Sequence, residues 1–312
     1  MTAATASADR VTGRRRSGGG GRDVDRLAGL VEGWFRVQAS AVYLFLYLPI
    51  VVVIVFAFNG TEGRATLWQG FSPRWFGIAL NDTLVQTYLL NSFIIAIPAA
   101  VLATLFGTMA ALGLQRVGRR LRIAFDALIY ISVIVPEIVI ALSTLVLFAT
   151  GFDAWRDLTG QRLRFGHPTV IAAHILFNTS LVLLLVRTRL STMDRTHVEA
   201  SYDLFASPWR TFRQITFPQL VPAIVAGFLL SFTFSFDDYV ITTFTTGPGS
   251  STLPLYIFGQ IKRGVTPETN AVATMMLVFT LAMLFVGQWV LTRQGRRRGQ
   301  QTSMAGIVSQ QS

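Results

Sequence analysis

The sequence predicts an all-α membrane protein with six transmembrane helices, and three observations carry that prediction. Apolar residues fill 52% of the 312 positions and charged residues only 14%, against about 25% charged residues in soluble domains. Six apolar runs are each long enough to cross roughly 30 Å of hydrocarbon at about 1.5 Å per helical residue. The basic residues lie almost entirely outside those runs and crowd into alternate connections.

The runs fall near 41–58, 89–114, 123–150, 168–186, 221–245 and 271–292, and together define a six-span domain over 39–293. The first, AVYLFLYLPIVVVIVFAF, has no charge at all. Pro49, Pro98 and Pro136 lie inside runs, where a soluble helix would break but a membrane helix finds compensating partners. An even number of spans puts both termini on one side. That side collects 20 of the Lys and Arg residues, and the other three connections hold 7. The positive-inside rule therefore places both termini and the 188–220 connection in the cytoplasm. Residues 1–38, with RRRSGGGGR, read as a disordered basic tail, and 294–312 as a second cytoplasmic tail. A twin-arginine signal is the alternative for the first tail. The apolar run starts well downstream of the arginines, however, and no small-residue cleavage site follows it.

Several function classes drop out on composition. There is no cysteine, which excludes disulfides and thiolate metal sites. His167, His174 and His197 are scattered and show no metal-ligand spacing. The net charge of +11 could point to nucleic acid, but the sidedness of the arginines accounts for it. No GxxxxGK[ST] phosphate loop is present, so the chain is not an ATPase. A membrane enzyme would need a nucleophile–base pair or a metal cluster at depth, and none is visible. An ion-driven secondary transporter often carries internal repeats, and none relates 41–150 to 168–292.

The 190–220 segment reads as two short helices joined by a tight turn. Thr196-His197-Val198-Glu199 fits a capping box. Ser207-Pro208 fits an N-cap followed by proline at the first helical position. Pro218 and Pro222 bracket the entry to the fifth span. Two capped helices make a rigid protrusion.

Residues 199–218, EASYDLFASPWRTFRQITFP, resemble the EAA loop of ABC-importer permeases. That pattern is Glu-Ala-Ala, three residues, Gly, nine residues, Ile, one residue, Leu-Pro. Glu199, Ala200, Ile215 and Pro218 match it, and Ser201 replaces the second alanine. Phe205 stands at the glycine, where a positive φ would strain any other residue. The turn is thus expected to shift to Ala206-Ser207, or the ring to pack into the partner. The runs 71–76, 135–148, 174–190 and 231–274 are similar to the corresponding parts of spermidine/putrescine permeases, and the likeness covers roughly 40–292.

The resemblance implies a type I ABC importer permease fold with a two-helix coupling loop, in the bacterial inner membrane. It implies a polyamine cargo moved by alternating access, with ferric iron, a phosphonate or another organic amine as alternatives. No cofactor is expected on this chain; ATP and Mg would be used by two copies of a partner ATPase. A second, different permease chain and an external solute-binding protein complete the expected partners, the latter docking at the outer loop 246–267. Nucleic acid is not among them.

Charged residues inside the apolar runs are the candidates for the cargo path. Asp237 and Asp238 fall in the fifth run and Glu137 in the third; ionised carboxylates there cost about 2.5–3.5 kcal/mol each and need a partner or a wet cavity. Adjacent residues on a helix lie about 100° apart, so one aspartate can line the path while the other pairs with a neighbour, or both can sit at the span's outer end. Tyr239 could offer an aromatic face to an ammonium group, whereas the phenylalanines around it read equally as packing. His174 reads as an interhelix hydrogen-bonder, and Asp126 as the partner of the nearby arginines at 119–122. Trp68, Trp75 and Phe76 suit an interfacial belt.

Overall fold

Lipid offers the backbone no hydrogen-bond partners, so a chain that crosses it must satisfy its own peptide groups within helices. The structure, a computed structural model, describes residues 20–65 and 67–309. The described residues form twelve α-helices: α1 (Gly20–Phe56), α2 (Arg74–Asn81), α3 (Thr83–Gly113), α4 (Arg119–Ile134), α5 (Glu137–Thr159), α6 (His167–Ser191), α7 (Thr196–Asp203), α8 (Pro208–Thr211), α9 (Phe217–Asp237), α10 (Val240–Thr245), α11 (Leu253–Arg263) and α12 (Pro267–Ser309). A π-helical turn, Phe212–Thr216, joins α8 to α9. The chain divides into two units, residues 1–53 and 54–312.

Six stretches are long and apolar enough to span a membrane: Val31–Phe56, Thr83–Gly113, Glu137–Thr159, His167–Ser191, Pro208–Asp237 and Pro267–Trp289. Four of them are the expected runs 41–58, 89–114, 168–186 and 271–292 with shifted ends. The third and fifth are corrected. The run 123–150 is not one helix: proline has no N–H and drives the preceding residue out of the helical region. Val135 is accordingly extended (φ −62°, ψ 131°) before Pro136, so α4 stops at Ile134 and the span begins at Glu137. The run 221–245 breaks at Asp238 (φ −65°, ψ 130°) and instead reaches back to Pro208. The tail expected over 1–38 is also revised, because α1 is helical from Gly20; residues 1–19 and 310–312 lie outside the described residues.

Within the second unit, α3 is the central post, packed mainly on α6 and α9. Without a hydrophobic driving force between helices in lipid, close packing depends on small side chains. One face of α3 supplies them: Ala96, Ala99, Ala100, Ala103, Gly107 and Ala111 are all buried. At Gly107 an added Cβ would lie 2.8 Å from Val182 Cβ and 2.9 Å from the Thr179 carbonyl, so α6 touches the α3 backbone there. Asp82 starts α3 by accepting the Leu84 N–H at 2.8 Å. Phe93 packs against Phe232, Phe236 and Phe279, tying α3, α9 and α12 into an aromatic layer. At one end of the bundle Arg187 of α6 grips the Asp126 carboxylate of α4 with both guanidinium nitrogens. The sequence had assigned Asp126 to the arginines at 119–122, but α4 packs along α6, which turns that carboxylate toward Arg187.

Gly107→Val is expected to cost about 2 kcal/mol by overpacking the α3–α6 contact. Gly113→Ala, on the same helix with open space around it, should leave stability unchanged or slightly raised. Thermal unfolding of the two purified variants in detergent checks the contrast.

Candidate functional site

The structure brings the predicted residues into two separate places. The first is the protrusion formed by α7 and α8. Its entry differs from the expected capping box. Arg195 takes the N-cap position in a helical conformation, so Thr196 already lies inside the helix and cannot cap it. Asp194 serves instead, accepting the Thr196 N–H at 2.9 Å. The Thr196 hydroxyl and then its N–H hold the Asp194 carboxyl below the usual carboxylate range. Ser207 does cap α8, accepting the Arg210 N–H at 3.4 Å ahead of Pro208.

Ser201, one of the departures from the loop pattern, joins the two helices. Its hydroxyl lies 2.7 Å from the Val198 carbonyl and 2.9 Å from the Thr211 hydroxyl, and Ser201 and Thr211 are both buried. An alanine could not make that link.

Phe205, which stands at the pattern's glycine, stays at the turn. The expected shift to Ala206-Ser207 does not occur: Phe205 has φ 57° and is the one non-glycine residue at positive φ among the described residues. The Ala206 N–H bonds the Ser201 carbonyl at 3.0 Å and the Phe205 N–H bonds the Tyr202 carbonyl at 2.9 Å. These are the paired bonds of a Schellman helix ending, in which glycine normally takes the left-handed position. A side chain there costs about 1–2 kcal/mol. The ring itself is 97% exposed, beside Leu204 at 81% and Trp209 at 69%.

Glu199 and Ala200 are exposed on α7. Ile215 is half-buried in the π turn, and Pro218 sits in the first turn of α9. Pro218 has no N–H to offer the Gln214 carbonyl, and the Phe217 N–H reaches back five residues to Phe212; that is how a π turn arises just ahead of a proline. The helix nevertheless runs from Pro208 to Asp237 without an extended break.

The second place is where two interrupted helices meet inside the bundle. α5 starts at Glu137 and α9 stops at Asp237, and Ala141, Ala173 and Ile241 pack α5, α6 and α10 together beside them. Asp238 is buried and saturated. It accepts the Ile241 N–H at 3.3 Å, the Thr242 N–H at 2.7 Å, the Thr242 hydroxyl at 2.6 Å and His174 Nε2 at 3.2 Å. His174, 1% exposed, completes the network through Nδ1 to the Ser235 hydroxyl at 2.7 Å. With Nε2–H donating to Asp238, Nδ1 accepts from Ser235, and every polar atom of the imidazole has a partner. Asp238 thus caps α10 in the manner of an N-terminal aspartate. Glu137 sits beside it, close enough for a carboxyl–carboxyl hydrogen bond. Asp237 turns the other way, exposed, with the Thr280 hydroxyl donating to it at 3.2 Å. Among the described residues no arginine or lysine pairs with Glu137, Asp237 or Asp238.

Tyr239 stacks on Phe258 with centroids 4.0 Å apart. Both line an open cleft of about 320 Å³ with Tyr88, Tyr256 and Lys262. Phe232 and Phe236 are buried in the aromatic layer, so there the packing reading holds. Sequence reasoning missed Asn91, whose amide donates to the Gly249 and Ser251 carbonyls and whose oxygen meets His167 Nε2, fastening the 246–252 loop to α3. A lone asparagine inside an apolar run was the available signal.

Against this geometry, comparison with known proteins is consistent. The family described as binding-protein-dependent transport system inner membrane component matches residues 103–300. The putrescine transport system permease protein PotI of Escherichia coli (strain K12) is 37% identical over 266 residues, covering 85% of this chain and 93% of that protein. The spermidine/putrescine transport system permease protein PotC of Haemophilus influenzae is 38% identical over 254 residues, covering 81% and 94%. Among solved structures, a chain of a bacterial ABC transporter involved in import of the acidic polysaccharide alginate superposes with a TM-score of 0.70 at 13% identity, over 87% of this chain and 98% of that one, a likeness of fold. The chain belongs to the binding-protein-dependent inner-membrane component family, as a multi-pass permease subunit of an ABC importer.

Proposed function

We propose that this permease imports polyamines of the putrescine and spermidine class. What carries the reading is the 37% identity to a putrescine permease over 85% of the chain, together with two carboxylates in the spans, Asp237 and Glu137, that no arginine or lysine pairs with among the described residues. A carboxylate at depth needs a cation or a wet cavity, and a diammonium cargo in a hydrated path supplies both.

The three carboxylates divide the work. Asp238 is spent on α10 and His174, so it positions the helix break and does not hold cargo. Asp237 keeps free acceptor capacity and forms the main path contact, and Glu137, which shares a contact with Asp238, adds its remaining oxygen. Tyr239 and Phe258 offer a ring face to an ammonium at the α10–α11 end.

The chain itself carries no cofactor in this reading. Both termini and the α7–α8 protrusion lie in the cytoplasm, as the arginine distribution favours. There Glu199, Ala200, Ser201, Phe205, Ile215 and Pro218 form the surface that meets an ATP-binding subunit using ATP and Mg. Two such subunits, a second and different permease chain, and an external solute-binding protein docked on 246–267 complete the importer. Closure of the ATPases moves the protrusion, and the unbroken helix from Pro208 carries that movement to Asp237, switching the path between outward- and inward-facing.

The deciding measurement is uptake of radiolabelled putrescine and spermidine by the reconstituted complex, with and without ATP. Asp237→Asn and Glu137→Gln should each raise the KM for the amine by about tenfold, the loss of one charge-assisted contact. Preference for ferric iron or a phosphonate would overturn the cargo assignment, and uptake without ATP the mechanism. Glu199→Ala should lower ATP-driven uptake several-fold with membrane insertion intact.

Stability separates the two aspartates. Asp238→Ala strands His174 and Thr242 in the bundle and is expected to cost about 3 kcal/mol. Asp237→Ala should cost less than about 1 kcal/mol, since one weak contact is lost. Thermal melts of the detergent-solubilised variants read this difference directly.

A further inference from the structure

Phe205 combines two unfavourable features that nothing else in the chain offsets. Its backbone takes the left-handed conformation that glycine adopts freely. Its ring, 97% exposed, touches almost nothing. The strain is enforced from both sides. Two Schellman bonds close the turn, and the Ser201–Thr211 hydroxyl contact holds α7 against α8. The segment Leu204–Trp209, LFASPW, has no charge, so Phe205, Leu204 and Trp209 make one apolar tip.

Lipid is a poor occupant for that tip. The helix from Pro208 to Asp237 has 30 residues, about 45 Å at 1.5 Å per residue. That exceeds the hydrocarbon thickness by about 15 Å. The excess lets the tip stand clear of the acyl chains, and Arg210 and Arg213 in the first turns of that helix favour the polar side of the membrane over its core. A preformed, rigid apolar projection is instead suited to a protein pocket, because little side-chain and loop entropy remains to be lost on docking.

We propose that Phe205 is the specificity anchor of the cytoplasmic contact: its ring enters an apolar pocket on the partner ATP-binding subunit, with Leu204 and Trp209 at the rim. This rests on the coupling role given above to the α7–α8 protrusion. It adds a selectivity rule. The chain pairs with ATPases that carry an apolar pocket facing the turn, and poorly with those shaped around a bare glycine.

The proposal predicts effects of opposite sign on folding and on binding. The full-length permease is placed in nanodiscs, its thermal unfolding is measured alone, and its cognate ATPase subunit is then titrated in. Phe205→Gly removes the strain, so its melting temperature should be unchanged or raised. It should nonetheless bind the ATPase at least about tenfold more weakly, the loss of one buried aromatic side chain. Phe205→Asn, which tolerates the same backbone region, should behave like the glycine variant and guards against a folding defect in either one. Phe205→Leu keeps an apolar side chain and should bind within about threefold of the parent. Parent-like affinity in both the Gly and Asn variants would assign the ring to solvent or lipid and overturn the anchor. Failure of the parent itself to bind would overturn the coupling role instead.

Discussion

A helix that starts inside a membrane bundle leaves backbone N–H groups that lipid cannot satisfy, and at the start of α10 the buried Asp238 carboxylate answers for them. It takes up the first N–H groups of α10, and its remaining lone pairs hold Thr242 and His174. Through His174 the arrangement reaches Ser235 on α9 and locks α6 to both halves of the interrupted helix. On the other side Pro136 precedes α5, with no N–H of its own and its carbonyl accepting the Val139 N–H at 2.9 Å. The two breaks therefore sit side by side in the bundle, with Glu137 next to Asp238 and Asp237 exposed on the other side.

That local solution depends on close helix packing. The small-residue face of α3 lets α6 and α9 approach until Val182 touches the Gly107 backbone. At that separation His174 on α6 and Ser235 on α9 come within hydrogen-bonding distance. Larger residues on α3 would splay the helices and leave the imidazole unsatisfied, so packing and polar chemistry constrain one another.

Much of this is legible in the residues, and the failures have specific physical causes. Length and hydropathy reveal six spans because the hydrocarbon thickness sets a fixed scale. They blur the breaks at Val135-Pro136 and Asp238, since an apolar run reads the same whether one helix or two cross it. Pro136 announced its break, but membrane helices often absorb proline, so the signal was ambiguous. The Asp237–Asp238 pair was readable as a path or structural pair; which aspartate is occupied depends on His174, 64 residues away in the chain, and sequence spacing carries no information about that. The capping box at Thr196 failed on register: the N-cap position falls one residue earlier, at Arg195, and the capping carboxylate two residues earlier, at Asp194. Phe205 was legible as a conflict with the turn, and the conflict is real: the backbone kept the turn and accepted the strain.

The continuous helix from Pro208 to Asp237 also has a mechanical consequence. It packs tightly on α6 at Gly227, where an added Cβ would come 3.1 Å from a Val182 methyl. Taken as a fulcrum, that contact divides the helix into arms of about 28 Å toward the tip and 15 Å toward Asp237, at 1.5 Å per residue. The arms stand in a ratio of roughly two to one, so a 4 Å sideways push at the tip becomes about 2 Å at the carboxylate. A helix pivoting there would act as a reducing lever, trading distance at the tip for force and a small displacement at Asp237.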